Sequence, residues 1–127
     1  MKYYTKKQVN GSFAEVLENT KLALATEGFG VLTEIDVRAT MKKKLDKEFD
    51  NYVILGACNP PLAYQALSSE KDIGLLLPCN VVVYEEDNKI YVSAIVPSVA
   101  MSMVENPHMG AVALAVDEKL ERVIAAI

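Results

Sequence analysis

Tyr52-Val53-Ile54-Leu55 and Val81-Val82-Val83-Tyr84 are apolar at every position. Successive side chains of a strand point to opposite faces of its sheet, so two such strands place apolar groups on both faces. An antiparallel sheet with one face in water alternates apolar and polar residues instead. The chain's own helices can cover one face, and something else must cover the second. A second copy of the chain is the simplest cover, because two-fold dimers are the commonest oligomers.

The flanking sequence supplies the other elements. Lys2 to Val9 reads as a strand. Ser12 and Glu15 have the capping-box spacing, and Phe13, Val16, Leu17, Thr20, Ala23 and Leu24 follow on one helical face, with Gly28 suited to the left-handed residue after the helix. Phe29, Val31, Thr33, Ile35 and Val37 alternate with Gly30, Leu32, Glu34 and Asp36, which predicts a strand with one face inward. Met41, Leu45 and Phe49 recur every four residues and predict a short amphipathic helix between 38 and 50. Asn59-Pro60-Pro61 opens a helix reaching about Glu70, with Asn59 as its cap. Ile73 to Leu77 is a short strand or a buried connection. Asn80–Glu86 and Lys89–Val96 form a hairpin turning at Asp87-Asn88, with Glu86 opposite Lys89. From about Gly110 onward, Val112, Val116, Leu120, Val123 and Ile127 mark the inner stripe of a final helix.

The order βαβαβαββα predicts an α+β two-layer sandwich: one mostly antiparallel sheet of about five strands with helices on one face. No linker divides the 127 residues, so residues 1–127 form a single domain. Thirteen Lys and Arg stand against 17 Asp and Glu, a formal charge of −4, which argues against a nucleic-acid partner. No apolar run approaches the roughly 18 residues of a membrane span. With two cysteines and no signal segment after Met1-Lys2-Tyr3, the expected location is cytoplasmic, with reduced thiols.

The middle of the chain carries a family pattern. Arg38-Ala39-Thr40-Met41-Lys42-Lys43-Lys44-Leu45 leads to Tyr52-Val53-Ile54-Leu55-Gly56-Ala57-Cys58-Asn59-Pro60. Ala63, Ala66-Leu67, Glu70 and then Ile73-Gly74-Leu75-Leu76-Leu77-Pro78-Cys79-Asn80-Val81-Val82-Val83-Tyr84-Glu85 follow. This resembles the family catalogued as domain of unknown function 302 across nearly the whole chain, most specifically in Gly-Ala-Cys-Asn-Pro and Leu-Pro-Cys-Asn. The resemblance implies a compact two-layer α/β domain, often dimeric, with no agreed activity or catalytic set.

Four groups of residues are candidates for chemistry. Cys58 and Cys79 form a thiol pair only if their strands are antiparallel; parallel strands would hold them roughly 20 Å apart at ~3.3 Å per residue. Buried free Cys is also an ordinary small core residue. Met101, Met103, Met109 and the single His, His108, suit a soft transition metal, and His108 joined to Cys58 and Cys79 would make a three-ligand site. The competing reading places the methionines in the core and His108 on a loop. Asn59 and Asn80 follow the two cysteines and are candidates to line a small-molecule pocket at the sheet end. Arg38, Lys42, Lys43, Lys44 and Lys47 concentrate positive charge, diluted by Asp46 and Glu48, and read as a solvated helix face. Walker, dinucleotide, Gly-x-Ser-x-Gly and His-Glu-x-x-His patterns do not occur.

The leading expectation is a small cytoplasmic homodimer acting as a binding or accessory module. Its rivals are a thiol-centred metal or redox site on Cys58 and Cys79, and a small-molecule pocket near Asn59 and Asn80.

Overall fold

The computed structural model describes residues 2–127. Five strands form one sheet in the order β1-β5-β4-β3-β2, with every neighbouring pair antiparallel. They are β1 (Tyr4–Val9), β2 (Gly30–Asp36), β3 (Tyr52–Cys58), β4 (Cys79–Glu86) and β5 (Lys89–Ile95). The helices are α1 (Phe13–Thr26), α2 (Val37–Leu45), α3 (Pro60–Ser69), the short α4 (Pro97–Ala100) and α5 (Pro107–Ala126). The architecture is the expected α+β arrangement. Among the described residues no helix is long and apolar enough to cross a membrane.

Local chemistry sets the ends of these elements. Ser12 Oγ accepts the Glu15 N–H at 3.1 Å and starts α1. Gly28, at φ 81°, turns the chain out of it. Asp87 and Asn88 both adopt positive φ and join β4 to β5, with Glu86 opposite Lys89. The segment left open between strand and connection is a 3-10 helix, Lys71–Leu76, whose Ile73 is buried. Asn106 caps α5 by accepting the His108 N–H at 3.0 Å, so that helix starts three residues before Gly110.

Helices α1 and α5 pack on each other and on one sheet face. Leu24 of α1, Leu55, Val81, Val83 and Val92 of the sheet, and Val123 of α5 are fully buried between the layers. Each such side chain contributes about 1.5–3 kcal/mol by leaving water. The remaining face carries Ile54, Val82 and four tyrosines, Tyr4, Tyr52, Tyr84 and Tyr91, and no helix of this packed layer lies over it. Leu55 faces the core while Ile54 beside it stays half-exposed, which accounts for apolar residues at both strand parities.

Two expectations need correction. Strand β2 does not keep one face inward: a bulge between Val31 and Thr33 inserts Leu32, so Val31 pairs Ala57 and Thr33 pairs Gly56. The extra residue moves Thr33 and Ile35 to the opposite face from Val31, and Ile35 is 48% exposed. Helix α2 ends at Leu45, where Asp46 takes a left-handed φ of 53°, and buries no residue. Leu45 and Phe49 therefore stay exposed.

Candidate functional site

Antiparallel pairing of β3 with β4 puts the last residue of one strand and the first of the other at the same sheet end. Ala57 lies opposite Cys79, with Cys58 one step beyond. Helix α3 leaves directly from β3, and α5 returns over the same end. Between them is a cavity of about 250 Å³ with a nearly wholly apolar wall. The sheet contributes Ala57, Cys58 and Cys79, while Leu62, Ala66 and Val116 close it from α3 and α5.

Both cysteines are free thiols. Cys79 is buried, and its pKa is pushed up to about 11, first by burial and then by the neighbouring charges of Cys58 and Asp117. The thiolate is the nucleophile and metal ligand, so this environment holds Cys79 in its unreactive form. Cys58 is partly accessible.

Asn59 occupies the capping position of α3 without capping it, a correction to the sequence reading. Pro60 and Pro61 bring no N–H groups to the first turn, so that side chain has few donors to serve. Its Nδ2 instead donates to the Glu27 carbonyl at 3.1 Å, tying the start of α3 to the end of α1. Asn59 is 9% exposed and is the one polar side chain, besides the two thiols, in the cavity wall.

The other candidates lie elsewhere. Asn80 is exposed and lines a groove on the open sheet face, opposite Gly56. His108 is exposed in the first turn of α5, outside the cavity. Among the described residues no three His, Cys, Asp or Glu side chains stand close enough to hold a metal ion. Cys58, Cys79 and His108 therefore do not gather as a three-ligand site. The Asn106 cap sets the register of that turn, sending Met109 inward and His108 outward. Met101 and Met109 pack with Ala66, Ile73 and Ala113 in a second core cluster, and Met103 is exposed. On α2, Lys42 pairs with Asp46 and Glu48 at 2.7 and 3.2 Å, and Arg38 donates to Asn51.

The open face is the second feature. Tyr52, Tyr84 and Tyr91 stack across β3, β4 and β5 with ring centroids 5.4 Å apart at each step. Lys6 of β1 lies 5.2 Å from the Tyr91 ring centroid and donates to the Tyr84 hydroxyl at 3.2 Å. Tyr52, Tyr84 and Lys6 border a groove of about 520 Å³ that Asp50, Glu85 and Glu86 also line. This row escaped the sequence reading, although its signal was present: pairing Glu86 with Lys89 forces Tyr84 opposite Tyr91.

The family model described as "Domain of unknown function DUF302" matches residues 5–127. The fold is similar to the crystal structure of an uncharacterized conserved protein DUF302 from Bacillus stearothermophilus. That likeness has a TM-score of 0.91 and 27% identity, over 98% of this chain and 97% of that one. No curated protein matches the chain.

Proposed function

Because this chain belongs to the DUF302 family, whose domain has no assigned function, we propose its role from geometry: it is a homodimeric binding module that associates through its open sheet face. The observation that carries this reading is the open-face row of Tyr52, Ile54, Val82 and Tyr84, each only partly buried, extended to the sheet edge by Ile35 at 48% exposure. Monomers rarely leave contiguous apolar patches beyond a few hundred Å² in water.

A two-fold contact needs a self-complementary surface. The Lys6 cation near one edge and the carboxylates of Asp50 and Glu86 in the same groove support such a contact. Two sheets pack about 10 Å apart when their side chains interdigitate. Two free thiols and no disulfide support a reducing, cytoplasmic setting for the module.

Val82→Glu tests the reading, because Val82 lines the open-face groove, away from the packed helices. The variant is expected to sediment as a monomer with its far-UV circular dichroism unchanged. A folded variant that still sediments as a dimer contradicts the proposed face.

A further inference from the structure

The sheet-end cavity has dimensions and chemistry that specify an occupant, independently of the open face. An apolar cavity of about 150 Å³ in a protein interior stays dry and accepts benzene. At about 250 Å³ this one has room for a second fused ring. Its wall holds no Lys, Arg, Asp or Glu, and burying an unpaired charge there would be costly. The occupant is therefore uncharged.

The wall also offers one directional contact. Asn59 is 9% exposed, and its Nδ2 is committed to the Glu27 carbonyl. Its Oδ1 makes no capping bond to α3. That oxygen is an acceptor and matches a ligand with one N–H or O–H donor. Access is by the exposed side chains of Leu32, at 67%, and Leu67, at 38%, which border the cavity. Leu32 is the residue inserted by the β2 bulge. Bulges commonly re-aim a side chain in this way beside a site.

We infer that the cavity between the sheet end, α3 and α5 is a binding site for a small, neutral, bicyclic aromatic molecule that donates one hydrogen bond to Asn59. Indole is the probe, and indene is its control of nearly equal size without the N–H. Both are titrated into the reduced protein, at fixed protein concentration, while backbone amide NMR signals are followed.

Indole is expected to shift the signals of Cys58, Ala63 and Val116 saturably. Indene should bind about tenfold more weakly, the scale of one lost hydrogen bond. Ala63→Phe, which fills the cavity from α3, should abolish the shifts while keeping native signal dispersion; if it does not fold, Leu67→Phe at the mouth replaces it. Saturating indole should also slow alkylation of Cys58. The proposal is overturned by any of four results: shifts that do not saturate, equal affinity for indene, shifts centred on Tyr52 and Tyr84, or undiminished binding in a folded filled variant. Sedimentation of the same samples reports the dimer separately, so the two readings fail independently.

Discussion

Thr33 and Gly56 face each other across β2 and β3 so closely that a Cβ on Gly56 would lie 2.2 Å from Thr33 Oγ1. On its other side the same Cβ would meet the Pro78 ring at 2.8 Å. Thr33 can give way by rotating, whereas the proline ring has no such freedom. Gly56 is thus required by close approach, next to the Ala57 and Cys58 that form the cavity wall.

Gly56→Ala is accordingly expected to lower stability by about 1–3 kcal/mol, the usual range for overpacking. Adding Thr33→Ala should recover only part of that loss, because Pro78 remains. Urea unfolding of the two single variants and the double variant measures both quantities. An undiminished midpoint in Gly56→Ala, or complete recovery in the double variant, contradicts the geometry.

Gly28 and Asn59 form the second tight pair. Gly28 has φ 81°, and a Cβ there would come within 3.2 Å of Asn59 Nδ2. Gly28→Ala should cost roughly 1–2 kcal/mol from the left-handed backbone alone. Asn59→Ala by itself should cost about 1 kcal/mol through loss of the hydrogen bond to Glu27. Combining them should remove the close approach and leave the backbone penalty, so the double variant remains less stable than Asn59→Ala. Equal stability of those two proteins would show that the backbone strain is absent.

Cys79 gives the fold an alkaline weakness. Its ordinary pKa of 9.0 rises to about 11 in the folded chain, chiefly through burial. Below pH 9 the thiol is protonated in both states and stability is unaffected. Between pH 9 and 11 the unfolded chain ionises first, so stability falls with rising pH, by up to about 2–3 kcal/mol. Denaturant midpoints across this window should drop less steeply for Cys79→Ala than for the unmodified chain. At neutral pH, iodoacetamide should label Cys58 in the folded protein and reach Cys79 only on unfolding. Parallel pH profiles, or early labelling of Cys79, would contradict this picture.

Much of this architecture is legible in the residues. Apolar strands at 52–55 and 81–84, the Ser12–Glu15 cap and the Asp87-Asn88 turn are local signals, and each has its expected place. The bulge at Leu32 is not legible, because an inserted residue leaves the alternation of Phe29 to Val37 intact and shows only in the pairing with β3. Asn59 misleads for a related reason: Asn before Pro-Pro looks like a cap, and its actual partner, the Glu27 carbonyl, lies 32 residues away. Strand order decides whether Cys58 and Cys79 share an end of the sheet, and no short-range pattern encodes it. The cavity depends on α5 returning over that end, so its far wall was out of reach of the motifs that suggested it.

Native mass spectrometry of the reduced protein at micromolar concentration tests the central claim most directly. The open-face account predicts a dominant species at twice the chain mass of 13.9 kDa, converting to the single-chain mass in Val82→Glu. A bare monomer at that concentration would contradict it, and the tyrosine row would then have to be stable in water.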